Sequence, residues 1–306
     1  MRHTLMIVFM YCVVTAAITE ARAADAQAIR VVTGSTVVND LTRRIGGDRV
    51  TVTCLMPAGI DPHVYQPVPE DVKRLAEATM VVINGLGFEG WYDRLAKEAS
   101  FSGTLVIASA GIVPMTMTER CDHEGDHHHH HDLHDPHAFH SLALGVRYAE
   151  NIRDALCLAD PAGAAEIRTR AAALIASLRQ CDGWARKEIA RIPVAQRVIV
   201  TNHDALGYFA RDYGFQIRAP NTALEDSEPS AKQVAELIDF VKAQGVKGVF
   251  LEAGKQAKVI EQVAREAGVR QGGELYLDGL GPTGGPADSY EGMWKENVTI
   301  IIRALE

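Results

Sequence analysis

The segment from Pro161 to Ala190, PAGAAEIRTRAAALIASLRQCDGWARKEIA, decides the architecture. Asp160-Pro161 offers an N-cap and a first-turn proline, and Pro193 is the first residue able to stop the helix that follows. At about 1.5 Å per residue the segment makes a rod of roughly 45 Å. A shorter helix, from about Leu142 to Leu158, leads into it. Such a rod spans a molecule, so it reads as a stiff connector between two halves.

On its N-terminal side, short apolar runs alternate with amphipathic segments: Ile29 to Thr33, Val37 to Ile45, Val50 to Leu55, Val68 to Ala78, Met80 to Ile83, Trp91 to Ala99 and Leu105 to Ala108. This is a βαβ rhythm, which predicts parallel strands covered by helices. The same alternation returns beyond Pro193, with Arg197 to Thr201, Ala205 to Tyr213, Ala231 to Ala243, Gly248 to Leu251, Lys258 to Ala267, Glu274 to Leu277 and a last helix from about Tyr290. The fold class is α/β, with two βα lobes built on parallel sheets and joined by one long rigid helix. In such sheets ligands bind beyond the carboxyl ends of the strands. His63, His203 and Asp278 all follow strand candidates and are expected to converge in the cleft between the lobes.

The N-terminus carries Arg2, an apolar stretch from Leu5 to about Ile18, and Ala21-Arg22-Ala23, a small-x-small site for cleavage before Ala24. Glu20 and Arg22 end the apolar run short of the roughly 20 residues a membrane span needs. Cys12 lacks the small residues that precede a lipoprotein cleavage site. The expected organisation is a signal peptide over 1–23, an N-terminal lobe over 24–140, connector helices over 141–192 and a C-terminal lobe over 193–306, in a soluble periplasmic protein. Four cysteines remain after processing, Cys54, Cys121, Cys157 and Cys181, and three pairings are open to them. Cys157 and Cys181 are not expected to pair, because about 20 residues of helix put them roughly 30 Å apart. A net charge of -8 without Lys/Arg runs gives no footprint for nucleic acid or an anionic membrane.

Of 12 histidines, nine fall between His123 and His140, and only His3, His63 and His203 lie outside that cluster. Cys121 to His134 has no aliphatic residue but Leu133 and is expected to be a mobile, weakly chelating loop. The other two mature histidines sit in built motifs. His63 lies in Met56-Pro57-Ala58-Gly59-Ile60-Asp61-Pro62-His63-Val64-Tyr65-Gln66-Pro67, where three prolines fix φ around it. His203, in Thr201-Asn202-His203-Asp204-Ala205, stands at a strand end. Asp135-Pro136-His137-Ala138-Phe139-His140 enters the helix at Leu142, and either His137 or His140 could face the cleft. Histidine is the commonest metal ligand because its imidazole is largely neutral near neutral pH and offers a lone pair. The chain therefore reads as a metal-handling protein.

Taken together, Asp61-Pro62-His63-Val64-Tyr65-Gln66-Pro67, Asp135-Pro136-His137, Thr201 to Ala210, Glu228-Pro229-Ser230 and Leu277-Asp278-Gly279-Leu280 resemble the solute-binding proteins of zinc and manganese ABC transporters, the ZnuA/AztC type, over essentially the whole mature chain. The resemblance implies two pseudo-symmetric lobes and, position by position, the metal ligands His63, His137, His203 and Asp278. Three imidazoles and one carboxylate suit zinc, whereas manganese prefers more oxygen ligands. Manganese-binding relatives resemble one another in a glutamate at the third position, where this chain has His203. Glu252 is a competing carboxylate, or else a hydrogen-bond partner to a ligating imidazole. Gly279 stands where the family carries proline, so the loop presenting Asp278 is expected to be loosely held.

The resemblance implies capture of Zn2+ in the periplasm, delivery to an ABC permease, a monomeric state and no enzyme activity. A manganese-binding homologue, or a zinc buffer or adhesin on the same fold, is the alternative. A zinc hydrolase fits less well: catalytic zinc keeps an open position, and neither His-Glu-x-x-His nor Gly-x-Ser-x-Gly occurs. The histidine-rich stretch is expected to gather zinc weakly or to receive it from a periplasmic donor protein.

Overall fold

The computed structural model describes residues 28–116, 134–220 and 229–306. The expected signal peptide, Cys121, Glu228 and the histidine-rich stretch up to Leu133 lie outside the described residues. Four strands, β1 (Ile29–Thr33), β2 (Val50–Cys54), β3 (Met80–Ile83) and β4 (Thr104–Ile107), form a parallel sheet in the order β2-β1-β3-β4. Helices α1 (Thr36–Gly46), α2 (Pro69–Glu77) and α3 (Tyr92–Glu98) are the crossovers that parallel pairing requires. The apolar run Met80–Ile83 is buried throughout because it is an inner strand with both faces covered.

Two connector helices follow, α4 (Leu142–Ala159) and α5 (Ala164–Ile189). The long helix exists but is shorter than its sequence suggests, since 26 residues span about 39 Å. Its start differs for a physical reason. Asp160 terminates α4, its Oδ2 accepts from Arg49 Nε at 2.6 Å, and its Oδ1 accepts the Gly163 N–H at 3.0 Å. Its carboxylate therefore caps a turn containing Pro161, and α5 begins three residues after that proline. Along α5 the buried residues Ile167, Ala171, Leu174, Leu178, Cys181, Ala185 and Ile189 recur every three or four positions, one stripe facing the interior. Arg170 on the same helix donates to the carbonyls of Ile45 and Gly46 at 3.1 and 2.8 Å, satisfying the open C-terminus of α1.

The second half comprises β5 (Val198–Val200), α6 (Gly207–Tyr213), β6 (Gln216–Arg218), α7 (Ala231–Gln244), β7 (Gly248–Glu252), α8 (Lys258–Ala267), β8 (Arg270–Leu275) and α9 (Tyr290–Leu305). Its strands pair in parallel as β5 with β6 and β7 with β8. The last strand lies earlier than the apolar run Glu274 to Leu277 indicates. It begins in Arg270-Gln271-Gly272-Gly273, where pairing to β7 across a bulge, and not side-chain alternation, holds the chain extended. One continuous core joins Val31, Leu41, Leu95, Leu178, Phe209 and Trp294, and so ties both halves to the connectors. A smaller core of Val200, Leu237, Val241, Val249, Ile260 and Val263 belongs to the second half alone. Cys54, Cys157 and Cys181 are free thiols.

Candidate metal centre

Three of the four predicted ligands sit beyond a strand's carboxyl end. His63 lies in the loop after β2, His203 just after β5 and Asp278 just after β8, while His137 opens the one-turn 3-10 helix Ala138–His140 ahead of α4. Their ligand atoms gather within 4.8 Å of one another. Asp278 Oδ1 is the centre of the group, 3.2 Å from His203 Nε2, 3.3 Å from His137 Nε2 and 3.7 Å from His63 Nε2. A cavity of about 230 Å³, lined from both halves by Pro57, Gly59, Gly254 and Tyr276, borders Asp278.

Carboxylates orient two of the imidazoles. Asp135 Oδ1 accepts the His137 backbone N–H and faces His137 Nδ1, both at 2.9 Å. The Asp135-Pro136 segment is itself held, with Tyr208 donating to the Asp135 carbonyl at 3.1 Å and Asn84 to that of Pro136 at 2.9 Å. Gly207 allows α6 to approach, since a Cβ there would come within 2.7 Å of Asp135 Oδ2. Glu252, at the end of β7, accepts the backbone N–H groups of Asn202 and His203 through Oε1 at 2.5 and 2.9 Å, and its Oε2 lies 2.5 Å from His203 Nδ1. Glu252 thus stands behind His203 and does not compete with Asp278, as its second reading held. Carboxylates placed this way fix the tautomer that leaves Nε2 directed at the cluster.

Burial opposes charge on His137, yet the bonds to Asp135 and Asp278 raise its pKa. Burial is likewise overcome at His203, where Glu252 and Asp278 lift the imidazole well above its ordinary value. Asp278 shows the converse: burial would raise it, but the charge on His203 and the bonds from His137 and His203 hold it well below the usual carboxylate range.

His140 turns away from this group. Its Nε2 donates to the Leu277 carbonyl at 2.8 Å, and burial pushes its pKa down to about 4. That bond helps fix the strand exit that presents Asp278. Asn297 of α9 clamps the same exit, accepting the Tyr276 N–H at 2.9 Å and donating to the Tyr276 carbonyl at 2.8 Å. The Leu280 N–H is bound at 2.8 Å by Thr36 Oγ1, and a Cβ at Gly279 would lie 2.7 Å from that hydroxyl. The loop expected to be loose is therefore tied on both sides of Asp278, and the missing proline leaves room for one of the ties.

His63 has no carboxylate behind its ring among the described residues. Its Nε2 is buried without a hydrogen-bond partner, and the ring packs edge-on against Phe88 at 5.6 Å. A buried polar atom left unpaired beside two other imidazoles and a carboxylate fits a place in a metal-ligating set. The sequence reading passed over Asp135 and Lys255. An Asp-Pro-His repeated at 61–63 and 135–137 is the one signal that could have drawn attention to Asp135. Lys255 sits in no motif, and its Nζ lies 3.3 Å from Asp278 Oδ2.

The profile of the ZnuA family, described as zinc-uptake complex component A, periplasmic, matches residues 31–304. The chain belongs to this family. It is 34% identical to the manganese-binding lipoprotein MntA of Bacillus subtilis (strain 168), over 93% of this chain and 92% of that protein. It is 31% identical to the iron-binding protein YfeA of Yersinia pestis, over 97% of this chain and 93% of the other. The structure of the periplasmic zinc-binding protein TroA from Treponema pallidum superposes with a TM-score of 0.83 at 28% identity, covering 91% of this chain and 99% of that one. As a ZnuA-family member the chain is a substrate-binding component of the ABC-transporter type and not an enzyme. No described helix is long and apolar enough to cross a membrane.

Proposed function

We propose that the chain captures Zn2+ in the periplasm, through His63, His137, His203 and Asp278, and delivers it to an ABC permease. The observation that carries this reading is the convergence of three imidazole Nε2 atoms on one carboxylate oxygen. Zinc bound tetrahedrally at about 2.0 to 2.1 Å needs ligand atoms about 3.3 to 3.4 Å apart; of the separations from Asp278 Oδ1, that to His137 is 3.3 Å, that to His203 is 3.2 Å and that to His63 is 3.7 Å. A donor set of three nitrogens and one oxygen favours zinc, while manganese suits oxygen-rich, higher-coordinate sites. Relatives named for manganese and iron support manganese or iron as the second reading.

Delivery to a permease follows from the family, and export from the signal-peptide pattern ending near Ala23. The histidine-rich stretch is a weak secondary binder or a docking segment for a zinc donor protein. The test is the metal content of the tag-free protein, followed by competitive titration with Zn2+ and Mn2+. One tightly held zinc per chain is expected, and deleting residues 122–134 removes only a weak phase. Tighter binding of manganese or iron overturns the zinc reading. Loss of the tight phase with the deletion overturns the ligand assignment.

A further inference from the structure

Lys255 lies in the turn after β7, across the cleft from the loop that carries His63. Its ammonium forms an ion pair with Asp61 Oδ2 and stands 3.3 Å from Asp278 Oδ2, with the side chain only 17% exposed. The two oxygens of Asp278 therefore have different surroundings. Oδ1 faces three imidazoles, and Oδ2 faces a cation.

We propose that Lys255 sets the metal selectivity of the site by holding Asp278 Oδ2 away from the ion, so that Asp278 gives one oxygen and the ion stays four-coordinate. This rests on the reading of His63, His137, His203 and Asp278 as ligands. A carboxylate free at both oxygens can bind an ion through both, which would turn three nitrogens and one oxygen into a five-coordinate set richer in oxygen. Manganese gains from that change, whereas zinc in closed protein sites is satisfied by four ligands. The ammonium is not easily displaced, because leaving would strand two carboxylates, each at most 15% exposed, without their partner. Its charge repels any divalent ion, so it weakens both metals while penalising most the mode that needs Oδ2. Selectivity is a difference of affinities, and this is its repulsive element.

The test uses the full mature chain and each metal alone, with affinities from chelator competition. Lys255→Met should lower the zinc-to-manganese affinity ratio by at least about tenfold, a change of about 1.4 kcal/mol in relative binding. Lys255→Arg, which keeps a cation at Oδ2, should retain the wild-type ratio. A ratio unchanged in Lys255→Met overturns the proposal. If that variant does not fold, Co2+ bound to the wild-type chain decides: intense visible absorption marks four ligands, and the weak absorption of a five- or six-coordinate ion overturns the proposal. Failure of the zinc reading shows separately, as a wild-type chain that binds Mn2+ more tightly than Zn2+. In that event the ratio shift in Lys255→Met still decides the role of Lys255.

Discussion

Asp61-Pro62-His63 and Asp135-Pro136-His137 are the same three residues in two settings. In both, the aspartate Oδ1 accepts the backbone N–H of the histidine two residues on, at 3.0 Å in the first and 2.9 Å in the second. They part company at the side chains. Asp135 also reaches the His137 ring, and the whole tripeptide is buried under Tyr208, Asn84 and Phe139. Asp61 turns its second oxygen to Lys255, and His63 keeps an imidazole oriented only by packing. The first loop carries exposed Ile60 and Val64 and borders the cavity. One histidine is thus preset by a neighbour that favours its protonated form, and the other has the least to hold its ring. Local sequence fixed the turn, and the surrounding fold decided what each carboxylate does.

The largest expected effect separates the carboxylate-backed imidazoles from the rest through protons. In the metal-free protein His137 and His203 have raised pKa values, so both retain protons above the free imidazole value of about 6.5 and a metal must displace them. Zinc affinity should therefore fall as pH falls, by more than about a hundredfold between pH 7.5 and 5.5 with over one proton taken up per ion released. Stability without metal has the opposite sign. The raised groups stabilise the fold fully below about pH 6.5, and that contribution is lost as pH rises through their folded-state values. Glu89, pushed by burial up to about 7, acts in the same direction. Melting of the metal-free chain should decline from pH 6.5 to 8 while the gain on adding zinc grows. A flat affinity across the first window would remove the imidazole-rich site.

Next in size is the loss of either ring. His137→Ala should weaken tight zinc binding by about a hundredfold, on the order of 2.7 kcal/mol, and His63→Ala by about tenfold. Chelator competition on the two variants compares them directly, and a reversed order would make His63 the anchor. Smaller again are the carboxylates behind the rings. Partners of ligating histidines are worth about 10- to 100-fold in affinity, so Asp135→Asn should lose about tenfold while Asp61→Asn stays within about threefold. Equal losses from the two substitutions would show that the tripeptides act alike. The smallest change in binding is expected for His140→Ala, within about threefold. Its cost appears in denaturant unfolding instead, as about 1 to 3 kcal/mol for the unpaired Leu277 carbonyl.

The alternation of apolar runs, the long helix before Pro193 and the positions of His63, His203 and Asp278 after strands were all legible in the chain. Each depends on periodicity or on a residue whose chemistry is rare in that context. Less legible were β6, three residues with little pattern, and β8, whose glycines hide a strand that pairing alone makes. Asp160 does cap, as an aspartate before proline should, but it caps the short turn holding Pro161 while Arg49, over a hundred positions away, holds its other oxygen, so the helix starts later.

The same division runs through the site. Sequence by itself determined which residues could bind an ion, because ligand chemistry resides in single side chains and the prolines that stiffen their loops are local. Residue types and helical spacing left both His137 and His140 open, and the family motif pointed to His137. The tertiary structure separates the two rings, by giving His140 a backbone carbonyl from β8's exit and His137 a carboxylate at Nδ1. It also placed Glu252 behind His203 and Lys255 at the far oxygen of Asp278. Such contacts join residues tens to hundreds of positions apart, and no local pattern encodes a distance that only the folded chain creates.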